Sequence, residues 1–207
     1  MEYAPAARRP PEEPPEAVRR GNARPWYPVL GVLLVVVALT AGWTLVDAAL
    51  DDRERIAAGS ALVLGPDDEI ALLRVEGHGW ALGRSASDPD MAYALSRDGV
   101  DLTARYVPLT GTGDPGTLWA GLRKVQSVAD SGSRLSAGHP LTGARGAIGR
   151  SGSLTGAGRA GSATVWLPPG RGYAVEIVVL ARPGAAPGAV ADATAMARGL
   201  TFPQGAP

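Results

Sequence analysis

Residues 29–46 read VLGVLLVVVALTAGWTLV, eighteen positions without a charge. As a helix rising 1.5 Å per residue the run reaches about 27 Å, close to the ~30 Å hydrocarbon core of a bilayer. Pro28 precedes it and Asp47 ends it; Trp26 and Tyr27 flank one end and Trp43 stands near the other, where amphipathic rings favour the headgroup boundary. A globular core helix of this sequence would have to be apolar all round, leaving Val35, Val36 and Val37 without a solvent face. The run therefore predicts a single transmembrane helix, seated through Trp26, Tyr27, Val29, Leu33, Val37, Trp43 and Val46. Ala38 and Gly42 form a small-xxx-small pair on which two such helices could pack into a homo-oligomer.

Arginine placement sets the expected orientation. Arg8, Arg9, Arg19, Arg20 and Arg24 precede the run, whereas Arg53 and Arg55 follow it among Asp47, Asp51, Asp52 and Glu54. The positive-inside rule then puts the N-terminus in the cytoplasm and the rest in an extracytoplasmic position at the cell envelope, as a single-pass signal-anchor protein of the cell membrane. A cleaved signal peptide is the competing reading. It fits less well, because the segment before the run is long, the apolar core exceeds 7–15 residues, and Val46-Asp47-Ala48 is a poor cleavage site. Neither Arg8-Arg9 nor Arg19-Arg20 has the surroundings of a twin-arginine signal.

Four segments follow. Residues 1–28 are rich in proline and arginine and poor in apolar side chains, the composition of a disordered cytoplasmic tail. Residues 29–46 are the span, 47–65 a juxtamembrane stalk with a helical start to Ala58, and 66–203 one folded domain. No cysteine occurs, so disulfides and thiolate metal sites are excluded. The single lysine, Lys124, against nineteen arginines reads as genomic bias before it reads as chemistry, and a net charge of zero gives no motive for nucleic acid as a partner.

Within 66–203 the clearest element is a hairpin. Met91, Tyr93 and Leu95 alternate on one side, Asp98-Gly99 supplies a two-residue turn, and Val100, Leu102, Ala104 and Tyr106 return, so that Leu95 faces Leu102 and Met91 faces Tyr106. Residues 70–75 read as an earlier strand, before a bend at Gly77-His78-Gly79. Asp114 can cap and Pro115 can open a helix carrying Leu118, Trp119, Leu122, Val125 and Ala129 at helical spacing. Residues 162–167 and 173–181 are two more strands. The second is apolar on both faces except at Glu176, as a central strand covered on both sides would be. A helix over 189–198, ended by Gly199, closes the chain. Strands, helix, strands, helix make an α+β class: a transmembrane helix followed by an antiparallel sheet packed with helices.

The Gly79-Trp80 opening, the strand pair through Tyr93 and Leu102, the helix around Trp119, the late long strand, and the closing helix running into Gly199-Leu200-Thr201-Phe202 resemble the PsbP/Mog1-like α/β sandwich. The version it looks like occurs in exported actinobacterial lipoproteins and membrane proteins of unknown function. The resemblance covers residues 66–203 and lies in element order. It implies binding or scaffolding and carries no functional residue over to this chain.

The chemistry-bearing patterns are sparse. Gly111-Thr-Gly113-Asp-Pro-Gly116 follows a strand and opens a helix, yet Asp114 sets a carboxylate where a pyrophosphate would sit and Pro115 removes an amide donor, so cap and turn is the better account. Gly156-Ala-Gly158-Arg-Ala-Gly161 precedes a strand and reads as a flexible hairpin loop. His78 and His139 sit in turns without metal-ligand spacing. There is no G-x-S-x-G elbow, although a Ser-His-Asp triad is defined by geometry and serines abound. Asp88 and Asp90 fit a turn more readily than a calcium site. No cofactor is implied.

Charge is distributed unevenly. Residues 51–101 carry eleven acids against five arginines, and residues 102–207 carry ten bases against four acids. Residues 131–175 hold no acid, and they carry Arg134, Arg145, Arg150, Arg159 and Arg171 in a Gly- and Ser-rich stretch expected to form long mobile loops. Arginine forks there could take phosphate or carboxylate groups of lipid heads or wall polymers; alternatively, the acidic and basic halves face each other across the fold. The expected function is a non-enzymatic binding or scaffold module at the envelope, with the lipid bilayer and an envelope protein or anionic polymer as partners. The alternatives are an envelope hydrolase using His78 or His139, and an accessory subunit of an envelope complex.

Overall fold

The Asp98-Gly99 turn forms as its sequence dictates, both residues adopting positive φ (46° and 82°). It joins β5 (Ala92–Arg97) to β6 (Val100–Pro108), with Leu95 opposite Leu102. The computed structural model describes residues 52–203 except 68, 69, 112, 130, 131 and 171.

Around this hairpin a nine-stranded antiparallel sheet assembles. The strands preceding it are β1 (Arg53–Arg55), β2 (Ala61–Leu64), β3 (Ala71–Arg74) and β4 (Ala81–Gly83). Those following the helix α1 (Pro115–Ala129) are β7 (Arg134–Leu135), β8 (His139–Thr142), β9 (Ile148–Gly156), β10 (Arg159–Leu167) and β11 (Tyr173–Ala181), and α2 (Pro187–Arg198) closes the described chain. The sheet order is β1-β4-β5-β6-β11-β10-β9-β7, with β8 also pairing β9; β2 and β3 form a separate hairpin.

Central strand β11 is covered on both sides, which explains its two-faced apolarity. On one face Val175, Ile177 and Val179 join Leu102, Ala104, Leu95 and Trp166 in the larger core, closed by α2 and the β2–β3 hairpin. The buried positions of α2 are Ala189, Ala193, Met196 and Ala197; three alanines let the helix axis lie close to the strands. Tyr93 Oη donates to the Val63 carbonyl and Tyr173 Oη to that of Ile70, so two phenols reach from the sheet to hold the β2–β3 layer. On the opposite face Trp119 and Leu122 of α1 pack on Leu135, Leu154, Ala163, Val165 and Leu167. Asp114 caps α1, its Oδ2 accepting the Thr117 N–H at 2.8 Å. Val125, expected in the apolar stripe, stands exposed.

Three expectations are corrected. The α+β class with a helical anchor gives way to a mostly β domain, in which eleven strands stand against two α-helices among the described residues. Strand content rises because residues expected to be mobile loops form β7, β8, β9 and the start of β10, and because residues 53–64, read as a stalk, supply β1 and β2. Second, no helix among the described residues is long and apolar enough to cross a membrane. At fifteen and twelve residues α1 and α2 reach only about 22 and 18 Å, short of the ~30 Å required, and α1 carries Arg123 and Lys124. Third, the reading as a single-pass transmembrane, signal-anchor protein of the cell membrane with an extracytoplasmic domain finds no support and is set aside. The residues on which it rested, Trp26, Tyr27, Val29, Leu33, Val37, Trp43 and Val46, with Ala38 and Gly42, lie outside the described residues.

Candidate ligand groove

In an antiparallel pair, residues directly opposite one another project from the same face. On the α2 face one row across the sheet reads Tyr93, Ala104, Ile177, Thr164, Ser151, His139 from β5 to β8. The adjacent row reads Leu95, Leu102, Val179, Ser162, Ser153. Both rows are apolar through β11 and turn to hydroxyls at β10. The change coincides with the limit of helical cover, since α2 packs on β6, β11 and the near side of β10.

Beyond that limit a groove of about 640 Å³ opens. Its floor is the hydroxyl field of Ser151, Ser153, Ser162 and Thr164; Val179, Ala181, Val190 and Ala197 make its apolar side; Ser136 to His139 form the outer wall, and Thr194 and Arg198 of α2 the inner one. Adjacent strands lie about 4.8 Å apart and same-face residues about 6.8 Å apart along a strand, so the four hydroxyl positions make a grid of roughly 5 by 7 Å.

These hydroxyls are not equivalent. Ser151 Oγ lies 3.1 Å from the Ala163 carbonyl, to which it donates, and 2.9 Å from Thr164 Oγ1, and Thr164 is buried. Ser136 Oγ accepts the Ser153 N–H at 3.0 Å, which leaves its own proton free, and Thr194 Oγ1 donates to the Val190 carbonyl, which leaves its lone pairs free. The side-chain hydroxyls of Ser153 and Ser162 make no hydrogen bond to a described residue.

The outer wall is positioned from the opposite side of the sheet. Trp119 Nε1 donates to the Ser136 carbonyl at 3.0 Å, and the indole lies so close to the backbone that a Cβ at Gly138 or Gly152 would come within 2.8 Å of it. Gly138 also needs its positive φ of 72°. An indole on α1 thus sets the loop that walls a groove on the α2 side.

Of the residues anticipated from sequence, His139 lines this groove and His78 does not; His78 lies exposed between β3 and β4. Among the described residues no triad is assembled around His139: it pairs in register with Ser151, but Ser151 Oγ is committed to Ala163 and Thr164, and no described carboxylate lines the groove. Asp88 Oδ1 accepts the Asp90 N–H at 3.0 Å, forming a turn, and among the described residues no three His, Asp or Glu side chains are grouped to hold a metal. The Gly156–Gly161 motif is a tight hairpin turn with Ala157 and Gly158 at positive φ.

The five arginines do not converge. Arg134 is exposed, on the groove face by its register with Thr155; Arg145 sits in an exposed turn at φ 57°. Arg150, opposite Val165, projects from the α1 face beside Asp114, with a buried Nε that lacks a hydrogen-bond partner. Arg159 is engaged with Asp101 at 2.6 Å. Arg171 lies outside the described residues. Ion pairs between described residues, Arg159–Asp101, Arg182–Asp101 and Arg97–Asp192, instead join the acidic and basic parts of the sequence across the fold. Sequence reading missed Arg198, Ser153 and Ser162, which carry no motif; the register of β9 and β10 pairs the two serines, and the end of α2 adds Arg198 to the same groove.

No family model, no curated protein and no solved structure matches this chain.

Proposed function

We propose that the described domain is a non-enzymatic binding module whose ligand occupies the groove between α2 and strands β8 to β10. The observation that carries this reading is the switch from apolar to hydroxyl side chains along two rows of the sheet at the edge of helical cover. Packing alone gives no reason for a folded sheet to leave Ser153 and Ser162 unpartnered beneath an open concavity. The volume lies inside the 300–1,000 Å³ range of small-molecule sites, and an apolar side with a few convergent polar groups is their usual lining. Binding is favoured over hydrolysis because the described lining residues offer one imidazole and one guanidinium but no carboxylate to orient or assist a nucleophile.

The test is a fragment screen read by amide chemical shifts on the isotope-labelled full chain, repeated on Ser162→Phe, whose ring would fill the floor. Hits should perturb Ser151, Ser153, Ser162 and Thr164 and vanish in the variant while its fold, judged by the remaining amides, persists. Hits that cluster elsewhere, or that survive the plug, would overturn the reading.

A further inference from the structure

The lining of the groove also restricts the chemistry of what enters it. We infer that its ligand is a polyol of about one six-membered ring bearing a single acidic group, a carboxylate or a phosphate. This rests on the binding reading and narrows it.

Hydroxyls dominate the polar lining, and each can donate once and accept twice. Ser153 and Ser162 bring unused capacity of both kinds, Ser136 a free proton and Thr194 free lone pairs. A partner that answers donors and acceptors mixed at short intervals is itself polyhydroxylated. A purely apolar ligand would leave these hydroxyls desolvated and unpaired, and each would then oppose binding. The same ligand must tolerate Val179, Ala181, Val190 and Ala197 on the other side, which the C–H face of a sugar-like ring does. A ring with its substituents matches the roughly 5 by 7 Å grid of the floor.

Charge supplies the second restriction. Among the described residues, Arg198 is the one permanently charged side chain lining the groove, it makes no ion pair, and no acid stands opposite it there. A guanidinium offers five donors and no acceptor, in a fork that matches a carboxylate or phosphate edge. A cationic ligand would find no counter-charge. A neutral polyol would leave the fork unused.

The experiment uses the full chain and four probes: glucuronate, glucose 6-phosphate, glucose and inorganic phosphate, followed by amide shifts and calorimetry. The two acidic sugars should bind with shifts at Ser151, Ser153, Ser162 and Thr164, and glucose and inorganic phosphate each about tenfold or more weaker, as expected for loss of a charge-assisted contact or of the hydroxyl contacts. Arg198→Gln should bring both acids to the level of glucose, and Ser162→Val should weaken both acids without changing inorganic phosphate. A preference for one acid identifies the acidic group as carboxylate or phosphate. Equal binding of glucose and the acids, insensitive to Arg198→Gln, would overturn the acidic requirement while the groove remains a binding site. If none of the three sugars shifts the groove amides, the polyol class falls, whereas the binding reading falls only with the fragment screen.

Discussion

The indole of Trp166 donates from Nε1 to the Ala197 carbonyl at 2.8 Å, tying the β10 strand to the last turn of α2. That carbonyl is among the four that a helix leaves without an internal partner at its C-terminus, and here it is buried. The bond therefore fixes the end of α2 that presents Thr194 and Arg198 to the groove.

Trp166→Phe keeps most of the buried ring but orphans the carbonyl. It is expected to destabilise by about 1–3 kcal/mol in urea unfolding. Trp166→Ala adds a cavity in the larger core and should cost about 3–5 kcal/mol. A Trp166→Phe variant as stable as wild type would show that the hydrogen bond contributes nothing beyond the packing of the ring.

Arg159 and Asp101 join the tip of the β9–β10 hairpin to β6 across β11 at 2.6 Å, with side chains 34% and 36% exposed. Partial exposure keeps such a pair weak. A double-mutant cycle of Arg159→Ala and Asp101→Ala should return a coupling of less than about 1 kcal/mol, shrinking further at 1 M salt. Asp101 also lies 4.0 Å from Arg182, so Asp101→Ala alone should cost more than Arg159→Ala alone. Anion binding at Arg159 would have to compete with this pair, and for that reason Arg159→Ala should leave ligand affinity in the groove unchanged.

The β5–β6 hairpin, the capped helix α1, the two-faced strand β11 and the closing helix were all legible because local chemistry specifies them: Asp98-Gly99 for the turn, Asp114-Pro115 for the cap, alternation and helical spacing for the rest. Strand β9 was not. Its groove face is Gly149, Ser151 and Ser153, and its other face is interrupted by Arg150 and Gly152, so no apolar alternation marks it. The residues that floor the groove are those that erase the strand signal, and site and strand were hidden together. The role of Trp119 was hidden for another reason. Its contacts with Ser136, Gly138 and Gly152 are non-local, and helical spacing identifies only that it is buried. The five arginines looked like a cluster in sequence because β-strands were read as loops. Register separates Arg150 from Arg134 onto opposite faces of the sheet.

Asp114 illustrates a carboxylate stabilised by its own helix. The Thr117 backbone N–H, then the Thr117 hydroxyl, hold its carboxyl below the ordinary aspartate value. A depressed folded value means that the contribution is present above the unfolded value of about 3.9 and is lost as pH falls through the folded one. Asp114→Asn keeps a capping oxygen and should lower Tm less than Asp114→Ala at pH 7. On acidification below pH 3 the Tm gap between wild type and Asp114→Asn should close. A gap constant from pH 7 to pH 2.5 would contradict the cap as its source.

Glu176 presents the opposite case. It stands between Arg105 on β6 and Val165 on β10, on the α1 face of the central strand, and burial pushes its carboxyl above the ordinary glutamate value while the Arg105 charge opposes the rise. A raised folded value means that the native state binds its proton more tightly than the unfolded chain does. Stability then falls as pH rises from about 4.3, the unfolded value, through the folded value, and stays level above it. Glu176→Gln removes the ionisable group without changing its shape, and so should raise Tm at pH 7 and leave it nearly unchanged at pH 4. Arg105→Leu should do the reverse at pH 7, lowering Tm by withdrawing the one charge that offsets the burial. Thermal unfolding of the three proteins across pH 4–7 checks both. A Glu176→Gln variant less stable than wild type at pH 7 would mean that the attraction of Arg105 outweighs the cost of burying the carboxylate.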